Sequence, residues 1–343
     1  MDWIRFLLRV ARDARRDRAG RYALDEPYRT KYLSQPGLAL ACSIHGGLPY
    51  VMLSTSGRPE LLQLDRYRGI RAGDRVWIRF EDLPQFVSQI LPRVEAPFVL
   101  VTGDSDHQVP ADFPDAADRL AASGLVTRWF ATNYSGSAHG ALITGIPIGL
   151  NYARKNELIG SPFDGGLLRV VMQPLAVQDR EWDAVRAAAP PLMRRIPKAV
   201  ADFQLHDSAR RRRYGGESRA DVHRQLQRNA QIVWMHRRRP LPALLAAYAA
   251  HAFVVSPHGN ALDCYRTWEA LLMGCIPIVK RSPIDYLYDG LPVAIVDDWG
   301  EITAAQCETW LNRFGDAFDR THLGRVLSST YWLGRIGGAD LAR

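Results

Sequence analysis

The stretch from residue 252 to residue 279 constrains the fold more than any other part of this 343-residue chain. It reads AFVVSPHGNALDCYRTWEALLMGCIPIV, an apolar run, a polar turn, a helical pattern, a glycine and a second apolar run. Short apolar runs separated by a helical pattern predict two buried parallel strands joined by a helix. Ligands of open α/β sheets bind beyond the carboxyl ends of the strands. The polar turn after the first run therefore marks the predicted site.

The predicted helix of this unit has two unlike faces. A rotation of about 100° per residue places Arg266, Thr267 and Glu269 on the same side as Asp263. The opposite side carries the residues that we expect to pack on the sheet, namely Tyr265, Trp268, Leu271 and Leu272. A helix used only for packing needs no arginine and glutamate near its open end, so the polar side is predicted to face a ligand. The alternative is a simple surface ion pair between Arg266 and Glu269.

Strand-like and helical patterns alternate along the rest of the chain, which predicts an α/β fold with mostly parallel sheets. Chain length favours two domains rather than one core. We predict domains over residues 23–152 and 167–314, joined by a polar linker over 153–166 and followed by a helical tail over 315–343. The predicted strands are 38–44, 75–80, 97–102, 126–131, 141–148, 199–205, 230–235, 252–255, 276–279 and 292–296.

Composition narrows the class of protein. With 47% apolar and 23% charged residues the chain is typical of a globular protein, and it has no long apolar stretch that predicts a membrane span. The four cysteines lack metal-ligand spacing, which predicts free thiols in a reducing cytoplasm. The net charge of +8 suits phosphorylated ligands, whereas no nucleic-acid motif accompanies it. Nucleic acid is therefore not an expected partner.

The first 22 residues predict a basic amphipathic helix. Trp3 and Phe6 lie on one side of it, and Arg5, Arg9 and Arg12 on the other. Such a helix can lie in a lipid headgroup layer, which would bring residues 1–16 to the inner face of the membrane. The alternative is a terminal helix that packs on the protein and leaves its basic side in solvent.

Residues 256–279 resemble the nucleotide-sugar segment of exostosin-like glycosyltransferases and their bacterial relatives. They are more loosely similar to the Glu-Ala-Leu and Gly-x-Pro-Val element of many GT-B glycosyltransferases. The stronger similarity covers 252–299, and the segments 101–107 and 146–152 add weaker support. The resemblance implies a GT-B fold, in which two Rossmann-like domains face a cleft and the C-terminal helices cross back to the first domain. The C-terminal domain would hold a nucleoside-diphosphate sugar, with a UDP-sugar favoured, and no metal or other cofactor is expected.

Several residues of the second half are predicted to bind this donor. They are Ser256, His258, Gly259, Asn260, Asp263, Arg266, Glu269 and, from the arginine run 210–213, Arg213. Gly259 allows the backbone to approach a ligand closely, and the start of the next helix favours phosphate. Arg266 suits a bidentate phosphate contact and Glu269 suits ribose hydroxyls. The resemblance gives the diphosphate or sugar to Asn260 and Arg266, and the ribose to Glu269.

Arg213 belongs to a run of charges that could simply be solvated. Ala261 departs from the glycine that relatives often have at this position, which makes the turn slightly stiffer.

The opposite wall of the cleft must supply a base for the acceptor hydroxyl. Asp104, Asp106 and His107 follow the predicted strand 97–102, and the two aspartates are the first choice. His107 is the alternative within this loop, and His45, which follows another apolar run, is a further one. Asp104 and Asp106 also match the Asp-x-Asp metal motif of GT-A glycosyltransferases, so a metal-dependent reaction is the competing hypothesis.

The sequence thus predicts a hexosyl- or pentosyltransferase. It would move a sugar from a nucleoside-diphosphate sugar to a saccharide or lipid-linked saccharide, with inversion and without metal. Assembly of a surface polysaccharide or glycolipid is the expected setting. Three alternatives remain, namely a nucleotide-sugar epimerase of GT-B fold, a GT-A enzyme using Asp104 and Asp106, and a non-catalytic polyanion-binding protein.

Overall fold

The computed structural model describes residues 30–45, 67–136, 138–152, 175–205, 217–235, 239, 241–315 and 320–338. The predicted helix 1–22, the predicted linker 153–166 and Arg213 lie outside these residues. Among the described residues, no helix is both long enough and apolar enough to cross a bilayer.

The described strands form two five-stranded sheets, and every strand pair in them is parallel. The first sheet contains, in chain order, β1 (Ile44–His45), β2 (Arg75–Arg79), β3 (Phe98–Gly103), β4 (Val126–Ala131) and β5 (Ile143–Gly145). The second sheet is built from β6 (Ile196–Ala201), β7 (Ile232–Trp234), β8 (His251–Val255), β9 (Ile276–Lys280) and β10 (Ala294–Val296). The expected α/β fold with two Rossmann-like units is confirmed.

Helices connect the strands and cover the sheets. The first unit contains α1 (Gln35–Leu40), α2 (Leu83–Gln89) and α3 (Pro114–Ala122). The second contains α4 (Leu175–Ala188), α5 (Arg219–Leu226), α6 (Leu241–Ala250), α7 (Tyr265–Leu272) and α8 (Ala304–Phe314). Two further helices follow, α9 (Arg320–Val326) and α10 (Ser329–Gly337).

The predicted strand over 38–44 is wrong for most of its length, because α1 occupies residues 35–40. The hydroxyl of Ser34 accepts a hydrogen bond from the Gly37 amide at 3.1 Å and so caps the start of this helix. Pro36 lies in the first helical turn, where its missing N–H costs no hydrogen bond. Alternating Leu and Ala residues resemble a strand, but these start signals favour a helix.

The C-terminal helices cross back to the first unit, as the resemblance implied. Trp332 on α10 is 5% exposed and packs in a core cluster with Val101 and Phe130 of the first sheet. The guanidinium of Arg128 on β4 donates to the carbonyls of Arg335 and Ile336, at 2.7 and 3.0 Å. The end of the chain therefore completes the core of its first half.

The strand order of the second sheet locates a crevice. The order is β10-β9-β8-β6-β7, so the chain leaves β6 toward one edge and later returns to its other side as β8. This reversal is a topological switch point, where connections leave in opposite directions and a ligand crevice opens at the carboxyl ends of the strands. The loop that follows β8 begins at Ser256, so the predicted donor residues from Ser256 to Asn260 lie at this switch point.

Candidate functional site

The loop after β8 is folded closely on itself. Ser256 is 2% exposed, and its hydroxyl forms a hydrogen bond with that of Thr267 at 2.9 Å. His258 Nδ1 pairs with the Leu262 carbonyl at 2.8 Å, and the Gly259 amide donates to the Ala261 carbonyl at 2.9 Å. Ser256 is therefore buried inside the fold of this loop, whereas His258 and Gly259 are partly exposed.

The two predicted halves of the cleft meet at this loop. The side-chain amide of Asn260 donates to a carboxylate oxygen of Asp106 at 3.1 Å. Asn260 is predicted to contact the donor and Asp106 to be a base, and 154 residues separate them in the chain. The fold thus brings the loop after β8 and the loop after β3 face to face.

Arg266 on α7 forms an ion pair with Asp202, which follows β6. The distance from its Nε to a carboxylate oxygen of Asp202 is 2.7 Å, and its guanidinium lies 5.9 Å from the ring centre of Phe203. Burial lowers the pKa of Arg266, but the Asp202 carboxylate more than offsets this and raises it. A permanent positive charge is therefore fixed between the ends of β6 and β8.

The polar side of α7 is more buried than its sequence predicts. Thr267 is 1% exposed and Glu269 is 7% exposed, so both sides of this helix are largely covered. The ribose contact predicted for Glu269 remains a prediction. The apolar side packs on the sheet as expected for Trp268, Leu271 and Leu272, which are buried.

Asp263, which is predicted to bind the donor, lies buried at the junction of the two units. It is 2% exposed, and its two oxygens accept hydrogen bonds from the Ile148 amide and from Trp268 Nε1, each at 2.7 Å. Burial raises the pKa of this carboxyl to about 7, while the N–H donors oppose the increase. Asp263 therefore connects the two units and is not free for a ligand.

Asn133, the second residue after β4, holds the same junction. It is fully buried and has a left-handed backbone with φ of 55°. Its side-chain oxygen accepts from the Asp263 amide at 3.0 Å, and its side-chain nitrogen donates to the Ser105 carbonyl at 3.1 Å. One side chain thus fixes the loop that carries Asp104, Asp106 and His107 relative to the start of α7.

The loop after β3 has its own internal order. Asp104 has a left-handed backbone with φ of 51°, and its amide donates to the Gln35 side chain at 2.8 Å. His107 Nδ1 lies 2.9 Å from a carboxylate oxygen of Asp112, which also accepts from the Gln108 amide at 2.8 Å. The structure therefore adds Asp112 to the predicted residues of this wall.

His45 is not brought to this loop. It ends β1 at the edge of the first sheet and is 8% exposed. β2 lies between β1 and β3, so the two strand ends are about 10 Å apart at the usual strand spacing. His45 is therefore the weakest of the four predicted catalytic residues.

Sequence reasoning missed Arg219. It is the first residue of α5, and its Nε donates to the His258 carbonyl at 3.0 Å. Its Nη2 lies 3.1 Å from the position that a Cβ on Gly259 would occupy. The capping sequence from Ser218 to Asp221 marks the helix start, but nothing local shows that the arginine reaches the loop after β8.

In the described part of the chain, no group of three or more His, Cys, Asp or Glu side chains is arranged to hold a metal ion. Independence from metal remains a prediction, because only a chelator experiment tests it.

No known protein family matches the sequence, and no curated protein matches it. Among solved structures the chain is similar to an apo structure of OtsA, with 10% identity over 80% of this chain and 75% of that one and a TM-score of 0.39. It is also similar to a UDP-forming α,α-trehalose-phosphate synthase from Burkholderia xenovorans, with 9% identity, 81% and 77% coverage and a TM-score of 0.40. A third similar structure is the catalytic domain of starch synthase IV from Arabidopsis thaliana bound to ADP and acarbose, with 11% identity, 78% and 69% coverage and a TM-score of 0.30. Likenesses of this size carry no argument about the site or its substrate.

Proposed function

We propose that the chain is a GT-B glycosyltransferase related to the exostosin-like enzymes. It transfers a sugar from a nucleoside-diphosphate sugar, with UDP favoured as the nucleotide, to a hydroxyl of a saccharide or lipid-linked saccharide. The reaction is inverting and independent of metal, and it serves surface polysaccharide or glycolipid assembly at the cytoplasmic face of the membrane. The observation that supports this most is the Asn260–Asp106 contact at the switch point of the second sheet.

The second unit supplies positive charge where a diphosphate would leave. Arg266 is held beside the loop after β8 by Asp202, and Arg219 reaches the same loop through the His258 carbonyl. Lys280 ends the neighbouring strand β9. Fixed positive groups in a partly dry crevice stabilise a departing diphosphate more strongly than they would in water. These three side chains would perform the role that a metal ion has in other transferases.

The first unit supplies groups that can accept a proton. Asp104, Asp106 and His107 lie at the carboxyl end of β3, across from Asn260. In an inverting transfer, the acceptor oxygen attacks the anomeric carbon from the side opposite the leaving diphosphate, and a base takes its proton. Opposed walls of positive charge and of proton acceptors fit this chemistry.

The proposal is tested by thermal-shift measurements with UDP-, GDP-, CMP- and dTDP-sugars. One nucleotide should raise the unfolding temperature, and nucleoside diphosphate should be released with acceptor present, in EDTA as well as in Mg²⁺. Stabilisation by none of them would contradict the proposal. Turnover that stops in EDTA would contradict metal independence and favour Asp104 and Asp106 as metal ligands. Conversion of the donor sugar without release of diphosphate would instead indicate an epimerase.

The ribose contact of Glu269 has a test of its own. Glu269→Gln keeps the shape of the side chain but removes the charge that strengthens hydrogen bonds from ribose hydroxyls. The dissociation constant for the stabilising nucleotide should rise about tenfold, which corresponds to the loss of one hydrogen bond to a charged group. Glu308→Gln on the exposed side of α8 is the matched control and should leave it unchanged. Equal affinity in both variants would show that Glu269 does not bind the nucleotide.

A further inference from the structure

His107 and Asp112 form a pair with the geometry of a prepared base. His107 Nδ1 lies 2.9 Å from the Asp112 carboxylate, and the two side chains are only 11% and 6% exposed. The rings of Phe113 and Phe80 lie near the imidazole, with centroids 4.8 and 6.3 Å away. Aromatic neighbours and a hydrogen bond together restrict the rotation of the ring. The imidazole is therefore held in one orientation.

The hydrogen bonds also select one tautomer. The same oxygen of Asp112 accepts from the Gln108 amide at 2.8 Å, so this carboxylate acts as an acceptor. His107 Nδ1 must then carry the hydrogen of the neutral imidazole, and Nε2 carries the lone pair. Within the described part of the chain, no protein group forms a hydrogen bond with Nε2. The nitrogen that can accept a proton is thus left available to a substrate.

Asp106 is less suited to this role. Its Oδ2 accepts from the Asn260 side chain, so it already connects the two walls of the cleft. Imidazoles as a class exchange a proton near neutral pH, whereas carboxylates as a class are weaker bases. His107, which follows Asp106 in the chain, therefore suits the role of the base better than Asp106 does.

We propose that His107 Nε2 is the catalytic base of the transfer and that Asp112 is its positioning residue. The inference rests on the proposed function. The acceptor oxygen forms a bond to the anomeric carbon while the bond from that carbon to the diphosphate oxygen breaks. The acceptor proton moves to His107 Nε2, and the nucleoside diphosphate leaves with the bonding electrons. Asp112 stabilises the imidazolium that results.

Asp112→Asn tests the positioning role. His107 Nδ1 and the Gln108 amide donate to the same oxygen of Asp112, so the carboxamide oxygen of Asn would take that place and keep the tautomer. The variant would, however, lose the negative charge that stabilises the imidazolium. With the donor and acceptor found by the nucleotide screen, kcat should fall by about 10²- to 10⁴-fold while the KM for donor stays unchanged. The matched control is Asp118→Asn, because Asp118 lies 2.9 Å from His139 in a second, exposed pair. Its kcat should remain that of the unchanged protein.

NMR of protein labelled with ¹⁵N-histidine reads the tautomer without any substrate. His107 should carry its hydrogen on Nδ1 in the unchanged protein and in Asp112→Asn, and it should lose this preference in Asp112→Ala, with the resonance assigned through His107→Gln. A second variant, His107→Ala, should lose turnover and regain part of it with free imidazole. Turnover that survives in Asp112→Asn and His107→Ala would overturn the inference but leave the transferase proposal intact. Absence of any nucleotide binding would instead contradict the proposed function. The NMR measurement of the His107 tautomer does not depend on that result, because it needs no substrate.

Discussion

Three aspartates with largely buried side chains perform different tasks in this chain. Asp202 follows β6 and forms an ion pair with Arg266, whereas Asp263 lies just before α7 and receives hydrogen bonds from both units. Asp112 belongs to a third position, where it orients an imidazole. All three are aspartates in a segment that follows a strand, so sequence alone gives them the same weight. Only their partners, which lie far away in the chain for Asp202 and Asp263, distinguish them.

Asp263 should make stability depend on pH. Its pKa is raised from 3.8 to about 7 in the folded protein by burial. Between these values the folded state keeps a proton that the unfolded state has lost, so this contribution is complete below about pH 4 and is lost as pH rises through 7. The free energy of unfolding should therefore fall with rising pH relative to an Asp263→Asn variant, by up to about 1.4 kcal/mol per pH unit.

The measurement is the difference in unfolding free energy between the unchanged protein and Asp263→Asn at several pH values from 4.5 to 8. Using the difference removes the contribution of all other titrating groups. Asp115→Asn on the exposed first turn of α3 is the control. A difference that does not vary with pH for Asp263→Asn would show that its carboxyl does not titrate in this range.

At the scale of elements, the sequence predicts helices and strands from local patterns. It does not predict which elements are buried by residues that are distant in the chain. β8, α7 and β9 lie where the apolar runs and the helical pattern predict them. The cover over the polar side of α7 was not predictable, because the Ile148 amide and Asn133 come from 115 and 130 residues away. Periodicity tells which side of a helix is apolar, but it does not tell whether a second domain packs against the polar side.

The short helix α9 offers a test of backbone entropy at this scale. Gly324 lies within it, and a Cβ at this position would have no atom within 4 Å. Gly324→Ala should increase the free energy of unfolding by about 0.5–1 kcal/mol, since Gly loses more freedom than Ala when a helix forms. The matched variant is Gly149→Ala, where φ is +75° and the new Cβ would lie 2.1 Å from the Leu33 carbonyl oxygen. Chemical denaturation should show that it destabilises the protein, and the same sign for both variants would contradict the helix argument.

At the scale of the molecule, the two units face each other, and segments at the start and end of the described chain also connect them. The Leu33 amide donates to the Leu327 carbonyl at 2.8 Å, so the start of the described chain pairs with its end. Lys31 reaches Asp183 on α4 at 2.7 Å, and the hydroxyl of Tyr152 also bonds to α4 at Asp179. These connections lie apart from the contact between Asn260 and Asp106. The junction of the two units therefore has a structural part and a part that borders the proposed site.

Trp332 should control how strongly the two units unfold together. It is 5% exposed and belongs to the core under the first sheet, although it lies on the C-terminal helix α10. Trp332→Ala should cost about 3–5 kcal/mol, as expected for removal of a buried tryptophan, and should free α10 from the first unit. Amide exchange should then accelerate in β3 and β4 much more than in β8.

Trp310→Ala is the matched variant, because Trp310 is 6% exposed but packs inside the second unit, against Phe253. It should accelerate exchange in β8 and leave β3 close to its original rate. Equal acceleration of both sheets in both variants would mean that the molecule opens as one cooperative body and that α10 adds no separate coupling.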